Sequence, residues 1–410
     1  MPSLLQVLQS ATLLAAPTSH EELPGRWYPD VYRSPSAAGL SAEAQAQVEA
    51  LEALGYLGGS EPTPDQSGVI RWDKARAGTG VNLYSSGHAA TALLVGMDGA
   101  VLHTWSKPYA EAFPDRPTTN DKASGAWRRV ALRPEDGHLL AIYDGLGLVH
   151  LDARSRVVWA SANRAHHDVR WRPDGSVLTL TRILHAEGGP EGRPLVEDVV
   201  AELGPNGDER RRTSVLAALR ASSYASLLDR APHDTGDLLH TNAVFPLPDA
   251  QRDPTGASGP GRVLISMRHL DAIAVLHLNT GKLVWASTGV WSHQHDVELA
   301  GGALWLFDNR GGPGGSSRVL KLAPWSLETL WSWGGPRGMA LRSEVLGAVQ
   351  LLPNGHVLVT ESTRGHAVEV TPRGEAVWEY LNPHVTGPNN AYIAAIFEML
   401  RIPAFRCAWC

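Results

Sequence analysis

The sequence predicts an all-β protein, a six-bladed β-propeller behind an N-terminal helical and irregular extension, and three observations predict it. The first is a strand that follows a turn and ends in tryptophan. It reads "DGAVLHTW" (Asp98–Trp105), "RSRVVW" (Arg154–Trp159), "TGKLVW" (Thr280–Trp285), "LETLW" (Leu327–Trp331) and "RGEAVW" (Arg373–Trp378). The spacing is about 50 residues, with one gap wide enough for two units, which is the period of four-stranded propeller blades. The second is an apolar strand, a Pro-Asp/Asn-Gly turn and another apolar strand, clear in "VALRPEDGHLLAIY", "VRWRPDGSVLTL" and "VQLLPNGHVLVT". "VFPLPD", with an insertion before "GRVLISM", and "VELAGGALWLFD" are the same hairpin. Such turns place Asn, Asp or Gly where the chain needs positive φ. The third is composition: 41 glycines, 28 prolines and 14 tryptophans against 5 phenylalanines in 410 residues suit short strands joined by turns.

The elements follow in order. Residues 1–79 stand outside the repeat, and "SAEAQAQVEALEALGYL" (Ser41–Leu57) has a serine N-cap and helical apolar spacing, so it predicts a short helix packed on the propeller. The propeller is expected over 80–390, with blades near 80–109, 127–161, 165–219, 238–289, 292–335 and 343–383. The tryptophans are expected to pack between blades. "SSYASLLD" and "YIAAIFEML" read as helical pieces, the second opening a helical tail over 391–410. That tail ends in "CAWC" (Cys407, Cys410), a CxxC without the second half of a zinc site.

A net charge of −6, with no basic cluster beyond "ERRR" (Glu209–Arg212), argues against a nucleic-acid surface. No apolar run reaches the roughly 18 residues of a membrane span. The glycine-rich "FDNRGGPGGSSR" lacks the P-loop pattern. The first residues lack a basic start, and the compartment, cytoplasmic or periplasmic, stays open.

Aligning the blades on the strand before the turn makes Val169, Val244, Val297 and Val349 equivalent. Two residues earlier stand His167, Asn242, His295 and Gly347; four earlier, His240 and His293 appear in two blades. Residues two apart in a strand share a face, so His240 with Asn242, and His293 with His295, are expected to point together. The first strand of a blade lies beside the propeller axis, where polar residues from several blades would form one site. His166, adjacent to His167, is expected to face the other way. Arg268, in "LISMRHLDAIAVL", would add a fixed positive charge.

At these residues the chain resembles the arylsulfotransferase family of propeller enzymes, the type that uses aryl sulfates as donors. The resemblance rests on "GVNLYSSGHAATALLVGMDGAVLHTW", "HHDVRWRPDG", "DLLHTNAVFPLPD", "LISMRHLDAIAVLHLNTGKLVW", "QHDVEL", "FDNRGG" and "GAVQLLPNGHVLVTESTRGHAVEVTPRGEAVWEYLNP", which cover about residues 80–383 in family order. It implies a sulfuryl transfer from an aryl sulfate to a phenolic acceptor through a sulfohistidine, without cofactor. Carried over by motif, His295 is the nucleophile, His240 the general acid and base, and Arg268, Asn242 and His167 complete the catalytic set. His293, His166 and Asn309 are expected to contact substrate, and no metal role is assigned.

Two other readings stay open. His167, His240, His293 and His295 could ligate a metal, with Asp168 and Asp296 as the carboxylates near them. The propeller could also be a binding module without catalysis, since a fold does not fix a function.

Overall fold

The computed structural model describes residues 13–14, 21–36, 39–52, 59, 61–248, 256–334, 340–403 and 409. Cys407 and Cys410 lie outside the described residues, as does the end of the expected helix beyond Glu52. Six sheets, each built on four blade strands, form the six-bladed propeller.

The fourth blade shows the pattern: Thr241–Pro246, Arg262–Met267, Ala272–His277 and Lys282–Thr288 pair in order as an antiparallel meander. The fifth (His295–Ala300 to Thr329–Trp333) and sixth (Ala348–Leu351 to Ala376–Leu381) repeat it. The third runs from Ala165–Trp171 to Glu209–Ser214 and the second from Arg129–Arg133 to Val157–Ser161.

The first blade departs from expectation in one respect. Its inner edge is Ile396–Ile402, which pairs antiparallel with Val81–Ser86. The segment expected to open a helical tail is therefore a strand, and the propeller extends past 390. A short apolar run reads equally well as a buried strand or a helix, and here both faces are covered. Ile396 and Met399 enter the core with Tyr84, Leu358 and Trp378, while the Arg401 guanidinium meets Glu369 at 2.8 Å.

The N-terminal extension also supplies strands. Gly68–Trp72 adds a fifth strand to the sixth blade, and Arg26–Trp27 pairs parallel with Ala160–Ser161 of the second. The expected helix covers Ala42–Glu52. Ser41 Oγ accepts from Ala44 N at 3.1 Å, and Val48 and Leu51 pack on Leu184 and Val196. "SSYASLLD" becomes a short 3-10 helix over Ala225–Arg230.

Two compact units share the chain. One comprises residues 1–54, 145–148 and 159–289 and carries the third and fourth blades; the other comprises 55–144, 149–158 and 290–410 and carries the first, fifth and sixth. In the former unit Leu178, Val200, Leu219, Val244 and Ile265 form one apolar cluster. In the latter, Trp305, Phe307, Val349 and Val359 join the fifth blade to the sixth.

Trp105, Trp159, Trp331 and Trp378 pack between blades as expected, and each also makes a hydrogen bond to the turn of the following blade. Trp105 Nε1 donates to Gly137 O at 3.0 Å, Trp159 to Pro205 O at 2.9 Å, Trp331 to Pro372 O at 2.9 Å and Trp378 to Met97 O at 2.9 Å. A buried indole needs such an acceptor, which ties each hairpin to its neighbour.

Candidate functional site

The first strand of several blades carries an irregularity at the column that the sequence singles out. In the third blade His166 opposes Leu180 and Val169 opposes Thr179, so His167 and Asp168 bulge. In the fourth, Asn242 is skipped between the Thr241–Met267 and Ala243–Ser266 pairs. In the fifth the register slips between His295 and Glu298. A bulge inserts an unpaired residue and re-aims its side chain.

The backbone supports this with left-handed conformations at non-glycine residues: His167 (φ 57°), His240 (φ 49°), His293 (φ 57°) and Asp296 (φ 51°). Each costs on the order of 1–3 kcal/mol and persists only where its surroundings hold it. His240 and His293 precede the strands that begin at Thr241 and His295. Strand alternation therefore does not align His240 with Asn242, or His293 with His295; turn and bulge geometry sets their directions.

In the unit holding the fifth blade, His295 is 2% exposed and its Nδ1 faces two acceptors: Asn309 Oδ1 at 2.8 Å and His293 O at 3.1 Å. The orientation of the Asn309 amide is fixed, because its Nδ2 donates to Ser343 O and Leu346 O, both at 2.7 Å. The oxygen must then face the histidine. A carbonyl can only accept, so the neutral ring carries its proton on Nδ1 and its lone pair on Nε2. Asn309, expected to touch substrate, has its amide engaged in this clamp. His293 contributes through its carbonyl, while its ring meets Ser292 Oγ at 2.9 Å.

Asp296, weighed as a metal ligand, has a structural task. Its Oδ2 accepts from Val349 N of the next blade at 2.8 Å, and its Oδ1 meets Arg129 at 3.0 Å. Arg129 also pairs with Glu398 at 2.8 Å, giving a buried ion triad. Asp168 repeats the clasp in the other unit, accepting from Val244 N at 2.9 Å.

In that other unit the third and fourth blades bring four histidines into a row. Ring centroids lie 5.0 Å apart for His166 and His167, 4.9 Å for His167 and His240, and 4.8 Å for His240 and His269. Asp237 organises one end: its carboxylate holds His240 Nδ1 at 2.5 Å and His240 N at 3.1 Å, while its carbonyl accepts from His269 Nδ1 at 2.7 Å. Arg268 follows the strand Arg262–Met267 in a single 3-10 turn, and its backbone N–H donates to His240 O at 3.2 Å.

Burial pushes the His269 imidazole down to about 4, helped by the charge of His240. Burial also pushes the Asp198 carboxyl up to about 7, with the Asp237 carboxylate adding to it. For Asp237 burial acts upward, but the charge of His240 outweighs it and holds the carboxyl below the usual range. His166 is 2% exposed, with Nδ1 2.8 Å from His167 Nδ1 and Nε2 3.7 Å from Asp198. Burial, then Arg182, drives it down to about 3. Its ring stands against that of His167.

Asp237, Asp198 and His269 were not singled out from the sequence. The carboxylate three residues before His240, in "DLLH", was the available signal, since a turn brings such a pair together. His366, a histidine of the sixth blade, is buried between Glu361 (3.1 Å) and Glu379 (3.4 Å).

The fold is that of a six-bladed β-propeller. A family profile described as arylsulfotransferase (ASST) matches residues 135–383, and the chain belongs to that family. Comparison with curated proteins gives no match. Among solved structures, a protein of unknown function from Bacteroides caccae is similar at 12% identity with a TM-score of 0.50, over 78% of this chain and 98% of that one. A streptogramin B lyase (12%, TM-score 0.43, 84% and 95%) and the WD40 propeller domain of Doa1 (12%, 0.43, 85% and 96%) are more remote. At these identities the likeness concerns the fold alone.

Proposed function

We propose that the protein moves a sulfuryl group from an aryl sulfate to a phenolic acceptor in two displacements, with His295 as the carrier. The observation that carries this reading is the fixed tautomer of His295. With Nδ1–H held by Asn309 Oδ1 and His293 O, the Nε2 lone pair is available for attack without prior deprotonation. In the first displacement that lone pair bonds to sulfur, the S–O bond to the aryl group breaks, and the departing phenolate takes a proton. As the ring gains positive charge, the two acceptors at Nδ1 bind its proton more strongly, which favours the transition state over the ground state.

In the second displacement the acceptor phenol gives up its proton, its oxygen bonds to sulfur, and the S–N bond breaks to restore His295. The proton transfers are assigned to His240, whose Nδ1 is held by the Asp237 carboxylate so that Nε2 does the exchange. Arg268 is assigned to the sulfate oxygens, which stay anionic throughout. Asn242 and His167 are retained as further catalytic contacts, and His293 as a substrate contact.

The test is turnover of p-nitrophenyl sulfate with a phenol acceptor. Release of p-nitrophenol should depend on the acceptor and give parallel double-reciprocal lines, the signature of a two-step exchange. Hydrolysis or transfer that survives His295→Ala at full rate would overturn the assignment.

A further inference from the structure

We infer that Asp237, His240 and His269 form a binding site for a zinc-type divalent cation, and that its occupancy silences His240. One donor atom from each residue lies within 4.8 Å of the other two. Zinc bonds of about 2.1 Å place tetrahedral donors about 3.4 Å apart, so His240 Nδ1 and Asp237 Oδ2 separate from 2.5 Å while a more distant donor draws in, movements of side chains rather than of the fold. Two imidazoles and one carboxylate suit zinc, nickel or copper and discriminate against magnesium and calcium, which want oxygen throughout.

Burial is graded in a way that favours a ligand arriving from solvent. Asp237 is 7% exposed, while His240 and His269 are only half-buried. Thr235 Oγ1 accepts from Asp237 N at 3.2 Å, and the carboxylate caps His240 N, so the acidic donor is set before any cation arrives. The third and fourth blades supply surroundings already rich in imidazole, with His167 against His240. Binding is balanced by one proton: the proton shared by His240 Nδ1 and Asp237 Oδ2 leaves to solvent, and the cation takes its place.

The binding claim stands on this geometry alone. The inhibitory claim rests on the proposed role of His240, because an imidazole bound to a cation cannot exchange protons. His269 has no assigned part in the transfer, which makes His269→Gln the informative variant. Its amide can still donate to Asp237 O, but it offers no ring nitrogen.

The experiment is calorimetric titration of the full chain with ZnCl2, alongside transfer assays at the same zinc concentrations. The wild type should bind one zinc at micromolar affinity, and its transfer should fall with occupancy and return with a chelator. His269→Gln should bind at least tenfold more weakly and keep its transfer at zinc levels that silence the wild type. Magnesium should do nothing. Absence of stoichiometric zinc binding by the wild type, or equal affinity in His269→Gln, would overturn the site. Zinc binding that depends on His269 in a protein without transfer activity would keep the site and reject the function instead. Zinc binding that leaves wild-type transfer unchanged would overturn the inhibitory half.

Discussion

At the residue scale, the account turns on two imidazoles held by different partners. His295 faces neutral acceptors, an amide and a carbonyl, which set its tautomer without adding charge. His240 faces a carboxylate, which holds its Nδ1 and suits Nε2 to the proposed proton exchange. The two variants that separate these roles are Asn309→Leu and Asp237→Asn. Asn309→Leu should lower kcat by about 10²-fold or more with little change in donor KM, since the tautomer affects attack and not binding. Asp237→Asn should lower kcat by about 10²–10⁴-fold, because His240 loses the carboxylate that holds its Nδ1 and fixes the ring for proton exchange. Steady-state kinetics measures both. An unchanged kcat in Asp237→Asn would reduce the pair to a structural contact.

At the element scale, the inner strands do two jobs through adjacent residues. In the third blade a bulged histidine, and in the fifth the histidine paired just before the bulge, is followed by an aspartate that clasps the following blade. The motifs "HHD" and "QHD" were legible as histidine motifs, but their aspartates were not legible as clasps, because a backbone N–H from another blade leaves no mark in sequence. The closing strand was misread for a related reason: Ile396–Ile402 pairs with Val81–Ser86, a partner more than three hundred positions away. Truncation after residue 391 should therefore abolish cooperative unfolding rather than trim a tail, as read by calorimetry.

The sixth blade yields a pH prediction. Burial works against charge on His366, but Glu361 and Glu379 outweigh it and raise its pKa. A raised folded value contributes stability that is full below the unfolded value of about 6.5 and is lost as pH rises through the folded one. The melting temperature of the wild type should exceed that of His366→Gln at pH 6, and the gap should narrow towards pH 9. A gap that widens with pH would contradict the ion cluster.

At the scale of the whole molecule, the repeat was readable because every blade reuses one solution. A turn rich in Gly, Asn and Asp, an apolar hairpin and a terminal tryptophan recur at nearly constant period, and the indole-to-turn bonds show why. The site was only half readable. Histidines in one column stand out against the repeat, but Asp198 and the Asn309 clamp become visible only once the chain has folded. Family membership and the propeller are shared with many chains, whereas the chemistry belongs to particular side chains.

The central claim is that His295 carries the sulfuryl group. The direct measurement is mass spectrometry of the protein digested at alkaline pH after incubation with p-nitrophenyl sulfate and no acceptor. The account predicts one added sulfuryl group on the peptide containing His295, discharged when phenol is added before the quench. A sulfuryl group on another residue, or active transfer with no modified peptide before acceptor addition, would contradict it.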